Sequence, residues 1–304
     1  MDTLPGWLWA CQPGSGETEQ AQEQDTTMTK IVTKNYETVG EYLADLARPE
    51  KGVSQNSQDT GRRDFFWTDT YADAGKLFTS GWADGVARVN KHREGLAAFL
   101  DAAKTCKSKT FGWDVVGDFI DVGRVLSGEP ECCGQEFDNG DTVARKVVSI
   151  RLNQCVSGAV SADAIAARGV AVLVAVDLLE SCGIRCEVIC STATKGHGLH
   201  LTANVTAKRA NEIVDPDRLA FTVAHPSFFR RFGFRWMELY GHSPSNCHPA
   251  AVDDYGTREG TVEIDEILSA VNLSAESLKS NVIKIAEKCG LSFDDEQIAE
   301  LVKS

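Results

Sequence analysis

The chain has 304 residues, 42% of them hydrophobic and 25% charged, which is enough to bury one large core or two ordinary ones. No run approaches the roughly 18 apolar residues that a membrane span needs, so no membrane partner is expected. The formal net charge of -13, spread along the chain, repels phosphate backbones and speaks against nucleic acid as a partner, leaving Arg230, Arg231 and Arg235 as the one local basic strip.

Residues 1–27 hold few core-forming side chains after Trp9, and their Gln/Glu/Thr/Gly bias predicts a disordered leader. Met28 looks like the start of the folded chain and is a candidate start codon. A strand is expected at Ile31 to Lys34, then a helix with Tyr42, Leu43 and Leu46 on one face. A loop from Arg48 to Arg63 precedes "RDFFWTDTYADAGKLF", where a strand and then a helix capped by Thr70 are expected. "SGWADG" interrupts that helix before a second one from Val86 to about Ala103, with Trp82 as a packing residue.

The segment "FGWDVVGDFIDVGRVLSGEPECC" carries Asp114, Asp118 and Asp121 at spacings of four and three. On one helix face they would form an acidic metal site, but glycines at 112, 117, 123 and 128 favour a solvated, turn-rich segment. The pattern changes at Arg145. "KVVSIRLN" reads as a strand covered on both faces, and "AIAARGVAVLVAVDLLE" as a helix apolar all round, capped by Ser161 and closed at Gly183. "IRCEVICST" and "LHLTANVTAK" follow as a hairpin around "TKGHG". Asp215-Pro216 starts another helix, and His225-Pro226 interrupts it before an aromatic-rich stretch whose Phe228, Phe229 and Phe232 belong to the core. A long loop, a short strand or helix at "TVEIDEIL" and a helical stretch between Ser274 and Gly290 complete the chain.

Polar atoms at the exit of a central strand are where α/β proteins keep ligands, and here they are Asn153, Cys155 and Ser157. This frame resembles the von Willebrand A-type fold, whose first strand ends in D-x-S-x-S and whose second and third strands form an edge hairpin. The resemblance implies a divalent-cation site at Asn153, Cys155 and Ser157, beside Thr194 in the hairpin. A neutral Asn and a soft Cys hold a hard cation poorly, so no cofactor beyond a weakly bound divalent cation is expected. "YETVGEYL", "SGWADG", "DVVGDFIDVGRVLSGEPE", "KVVSIRLN" and "HPSFFRRFGF" are also similar to an uncharacterised family associated with phages and integrated mobile elements, which implies no activity. The expected fold is α/β: a mostly parallel, helix-covered sheet, von Willebrand A-like or Rossmann-like, over residues 145–268. An α+β region at 28–140 precedes it and a helical tail at 269–304 follows.

Ten scattered cysteines without C-x-x-C spacing read as reduced, mostly buried thiols in a cytoplasm, the host's if the chain is phage-encoded. Cys155 could act as a nucleophile with His197, His200 or His225, and His242, Cys247 and His248 could hold zinc. "NQCVSGAVS" lacks the glycines and Lys of a P-loop. Two function classes follow. One is a non-enzymatic protein-binding or assembly factor using the Asn153–Ser157 loop and the Thr192–His197 turn. The other is a metal-dependent or cysteine-dependent enzyme using the same crevice. With no intact catalytic constellation, the first is the expectation.

Overall fold

The structure, a computed structural model, describes residues 29–48, 54–95, 109–138, 147–212, 215–252, 261–264 and 275–290. The leader 1–27, the stretch from 96 toward Ala103 and the last residues of the tail lie outside these. The main sheet is built from β1 (Lys30–Tyr36), β5 (Val147–Asn153), β6 (Arg185–Gly196), β7 (Leu199–Lys208), β8 (His248–Pro249) and β9 (Val262–Glu263). Its order is β1-β7-β6-β5-β9, with β8 paired to β6 off this path. β5, β6 and β9 run parallel, and β7 returns antiparallel to β6 through a two-residue turn in which His197 and Gly198 both have positive φ, the backbone that such a turn demands. The sheet is therefore mostly parallel at its centre, in an α/β chain.

β1 belongs to this same sheet: it pairs in parallel with β7 from Lys30↔Leu199 to Tyr36↔Val205. The 28–140 region is thus stitched into the core at its start, through β1 and α1 (Val39–Leu46), which buries Tyr42 and Leu46. A second, three-stranded antiparallel sheet of order β2-β4-β3 is formed by β2 (Lys109–Asp114), β3 (Phe119–Ile120) and β4 (Cys133–Asp138).

The central helix α6 (Ala162–Ser181) is capped by Ser161, whose side chain accepts from the Ala164 amide, and is buried nearly all round, as its continuous apolar sequence dictates. It packs against α4 (Ala83–Gly95), α7 (Pro216–Ala224) and α9 (Ala275–Lys288), and α9 buries Val282, Ile285 and Ala286. α7 starts at the Asp215 cap with Pro216 at its first turn. A π-helical turn, Phe228–Gly233, leads into α8 (Phe234–Leu239) and buries Phe228, Phe229 and Phe232.

Three local expectations are corrected. Residues 64–67 are no strand: α2 (Arg63–Phe66) is a helical turn closed by Trp67 at φ 60. The rings of Phe65 and Phe66 each carry a guanidinium, from Arg230 and Arg231, at 3.7 Å, which overrides their strand propensity. After α3 (Tyr71–Ser80), capped by Thr70, helix α4 starts at Ala83 and not Val86, because Trp82 folds back onto it: a Cβ on Gly85 would lie 2.1 Å from the Trp82 ring. Arg230 and Arg231 form no surface strip. They are 1% and 0% exposed, and Arg231 donates to the carbonyls of Ser57, Asp59, Thr68 and Asp69 at 2.5–3.2 Å.

Two glycines in helices are opposite tests of this packing. A Cβ on Gly169 of α6 would lie 2.3 Å from the Ala224 Cα and 2.6 Å from the Val223 carbonyl, while one on Gly75 of α3 would meet nothing within 4 Å. Gly169→Ala is expected to destabilise by about 1–3 kcal/mol, the clash outweighing a helix-propensity gain of about 1 kcal/mol. Gly75→Ala is expected to stabilise by up to about 1 kcal/mol. Urea titrations followed by circular dichroism read both signs.

Candidate functional site

β5 ends at Asn153, opposite Ser191, while β6 continues to Gly196. β8 uses that overhang, His248 facing Lys195 and Pro249 facing Thr194, and the Ala250 amide donates to the Ala193 carbonyl at 3.0 Å. The segment 247–250 therefore lies across the exit of β5, and the strand-end loop forms beneath it.

Asn153 and Thr194 are held in internal hydrogen bonds, Cys155 is buried, and Ser157 stays exposed. Asn153 is 5% exposed; its Nδ2 donates to the Ala250 carbonyl at 3.0 Å and its Oδ1 accepts from the Cys155 amide at 3.1 Å. Its main-chain carbonyl accepts from the buried Arg168 guanidinium at 2.8 Å. Ser157 is exposed and its Oγ faces the Ala159 amide at 3.4 Å, a local turn bond. Thr194 is fully buried, with Oγ1 3.1 Å from Nδ1 of His242. His242 Nε2 lies 2.9 Å from the Gly196 carbonyl, which can only accept, so Nε2 carries the proton and Nδ1 accepts from Thr194. Burial holds His242 below the usual histidine range, aided by His197 and His200, although the bond to Gly196 opposes it. Both its nitrogens are taken, and it is not placed to bind zinc. No group of three or more His, Cys, Asp or Glu among the described residues is arranged to hold a metal ion.

The thiols are equally unlike an activated nucleophile. Burial pushes Cys155 far above its ordinary value, the nearby Cys247 adds to this and Arg168 opposes it. Burial also raises Cys247, while a hydrogen bond from its own backbone favours its charged form. Cys155 has no hydrogen bond to His197, His200 or His225 among the described residues. His225 is instead enclosed: its Nδ1 accepts from the Ser227 amide at 3.1 Å, and its ring lies 4.8 Å from Trp82 and 5.0 Å from Phe221. Asp114, Asp118 and Asp121 share no helix face. Asp114 ends β2, Asp118 follows in a turn, and Asp121 caps the short helix α5 (Val122–Leu126) by accepting from the Arg124 amide.

Besides a cavity of about 260 Å³ between α4, α6 and α7, two open features lie at or beside the expected sites. One is a cavity of about 250 Å³ at the strand end, walled by Phe65, Phe66, Phe229 and Phe234 with Cys155, Met237 and Cys247 among its lining and Arg62 at its side. The other is the β2–β4 sheet with α5, where Val115, Val116, Phe119, Ile120, Val122 and Leu126 are all more than half exposed, Leu126 at 83% and Val116 at 71%. Monomeric surfaces rarely gather apolar side chains so densely. Sequence reasoning passed over this stretch as a solvated turn, although its Val, Ile and Leu residues between glycines and aspartates were the available signal.

Residues 16–292 match the family described as a domain of unknown function, DUF7192. The chain belongs to that family. No curated protein and no solved structure matches it. The DUF7192 match takes in both sheets and both open features, and it includes residues 16–27 of the expected leader. No helix among the described residues is long and apolar enough to cross a membrane.

The closure of the strand end gives two tests. Asn153→Ala removes two side-chain hydrogen bonds, leaving the half-buried Ala250 carbonyl and the buried Cys155 amide without these partners, and is expected to cost about 1–3 kcal/mol. Denaturation with and without Mg²⁺ should show equal losses; a loss seen only with Mg²⁺ would restore the cation site. Burial, with Arg88 nearby, lowers His225 from 6.5 to about 3. The unfolded chain thus takes up a proton near pH 6.5 and the folded chain only near pH 3, so between these values the unfolded state binds more. Stability is then expected to fall as pH drops below 6.5, His225 contributing a slope of up to about 1.4 kcal/mol per pH unit near pH 5. The slope should flatten in His225→Gln when both proteins are titrated with urea from pH 7 to 5.

Proposed function

We propose that the protein is a non-enzymatic binding or assembly factor whose docking surface is the β2–β4 sheet with α5. The observation that carries this is the row of exposed large apolar side chains between Val115 and Leu126. Charge selects the occupant. Residues 114–131 hold five carboxylates, Asp114, Asp118, Asp121, Glu129 and Glu131, against one base, Arg124. Arg124 is already engaged, 2.7 Å from Glu129 and stacked 4.5 Å from the Trp113 ring. The partner is a protein segment whose apolar residues are ringed by Lys and Arg; a second copy would bring an identical acidic rim against this one.

The rest of the molecule is the scaffold. A von Willebrand A-like reading of it is supported by the succession β5, α6, β6 and β7, with β7 antiparallel and β9 on the other side of β5. In this reading the strand end that holds a cation in that fold is plugged by protein. An origin in a phage or mobile element is part of the proposal and is supported by the sequence likeness alone.

A basic amphipathic Leu/Lys helical peptide, with its Leu/Glu counterpart as control, serves as the probe. Fluorescence anisotropy should show binding of the Leu/Lys peptide alone, weakened at least tenfold in Val116→Asp/Leu126→Asp. That variant adds negative charge, so loss of a basic ligand reports the apolar contact. Its melting temperature should stay within about a degree or two because both sites are exposed. Equal binding to variant and parent would overturn the proposal. So would a concentration-dependent dimer, seen by light scattering and abolished in the variant, which would assign the surface to a second copy.

A further inference from the structure

The cavity at the strand end is apolar within and charged at its mouth. Phe66, Phe229, Met237 and Cys155 of its lining are buried, whereas Asp59 and Arg62, which line it as well, have side chains 39% and 54% exposed. Asn56, Ser157, Ser245 and His248 supply the rest of the polar lining and are half-exposed or exposed. The Asp59 carboxylate and the Arg62 guanidinium stand 3.9 Å apart, too far for a hydrogen bond. Among the described residues neither side chain has a hydrogen bond: Asp59 meets Arg231 through its main-chain carbonyl, and Arg62 rests over Phe65 and Phe66, 4.4 and 5.9 Å from the ring centres. An exposed pair of this kind contributes little to stability and opens at little cost. We propose that the cavity binds a free α-amino acid with an aromatic side chain, its carboxylate on Arg62 and its ammonium on Asp59.

Size, charge and ring geometry each narrow the ligand. A volume of about 250 Å³ lies below the roughly 300–1,000 Å³ of sites for drug-sized molecules, which leaves no room for a nucleotide. The charges at the mouth call for a ligand that carries both signs. A simple anion would leave Asp59 facing a like charge and a simple cation would do the same to Arg62, whereas a zwitterion satisfies both and brings no net charge into the cavity. In an α-amino acid the ammonium nitrogen and the carboxylate oxygens lie about 3 Å apart, which matches the spacing of the two side chains, and Arg62 offers the planar fork that a carboxylate prefers. The interior selects the side chain. Phe65 and Phe66 meet edge to face at 4.9 Å and 87°, and Phe229 and Phe234 at 5.4 Å and 82°. A further ring extends that arrangement, and the sulfurs of Met237 and Cys247 in the lining add favourable contacts to an aromatic edge. Binding is reversible and no covalent bond changes.

The test titrates the full chain calorimetrically with L-phenylalanine. One molecule per chain should bind, while 3-phenylpropanoate, which lacks the ammonium, and phenethylamine, which lacks the carboxylate, should each bind at least about tenfold more weakly. D59N and R62Q should weaken L-phenylalanine by at least the same factor. Both side chains are partly exposed, so circular dichroism should place the melting temperature of each variant within about a degree or two of the parent. The position of the ring is read separately. The chain has three methionines, Met1, Met28 and Met237, and in protein isotope-labelled at the methionine methyls the Met237 signal alone should shift on binding. Absence of binding at up to about 10 mM L-phenylalanine, undiminished binding in D59N or R62Q, equal binding of either truncated compound, or a Met237 signal that stays in place would each overturn the proposal. None of these readouts depends on the β2–β4 surface.

Discussion

Two buried guanidiniums and one buried carboxylate organise this molecule. Removing a charge from water costs several kcal/mol unless hydrogen bonds replace the lost solvation, so each such group dictates what surrounds it. Arg231 finds its acceptors in four main-chain carbonyls between Ser57 and Asp69, and Arg230 in the carbonyls of Phe65 and Val160. Glu238, about two turns further along, accepts from the Ser57 amide and hydroxyl and from Ser54. Burial raises the Glu238 carboxyl and these bonds pull it back. A cation that needs carbonyls and an anion that needs N–H and O–H groups therefore grip the same stretch of chain, residues 54–69. Neither group can be satisfied unless that stretch is wound into the short helical turns observed there, and the strand expected at Phe65–Trp67 would turn half of these carbonyls away.

This clamp has a consequence at the other end of the sheet. By drawing residues 54–66 over the π-helical turn and α8, it sets Phe65 and Phe66 as one wall of the cavity at the exit of β5. The opposite wall comes from the overhang of β6, which recruits β8 and with it Cys247. The exit of a central parallel strand is normally open because nothing in a βαβ unit covers it. Here two insertions meet over it, one held by buried charge and one by strand pairing. Asn153 ties the second of these to the strand through Ala250 and the strand to α6 through Arg168, and polar atoms that in an open crevice would face a ligand face protein instead.

What the sequence disclosed follows the range of the forces involved. Caps act within one turn, and Thr70, Ser161 and the Asp215-Pro216 pair all mark helix starts that the structure contains. Hydrophobic pattern acts within one element, and it located β5, α6, β6 and β7. Signals that need a partner far along the chain were lost. Adjacent arginines read as a surface strip because their carbonyl acceptors lie some 160 residues earlier. Thr194 and His242 gave no sign of meeting, since only the pairing of β8 with β6 brings the loop after α8 to the hairpin. The exposed apolar row was overlooked for a different reason: a single chain shows what its side chains are and not whether the fold covers them.

The two open features divide along the same line. Inside the clamp, Arg230, Arg231 and Glu238 are held by burial and by fixed hydrogen bonds, a setting that preserves a cavity's shape and resists rearrangement. Among the described residues the β2–β4 sheet shows no such anchors: its strands pack chiefly on one another, and its exposed Val and Leu side chains cost free energy that the rest of the fold has to carry. Carboxylates around those side chains oppose association with a second copy, since like charges within about a Debye length of 8–10 Å repel. In the proposed function the same carboxylates accelerate the approach of a basic partner, after which burial of the apolar row supplies the holding force. A surface costly to expose and guarded against its own copies is stable in evolution only when something of opposite charge covers it for part of the protein's working life.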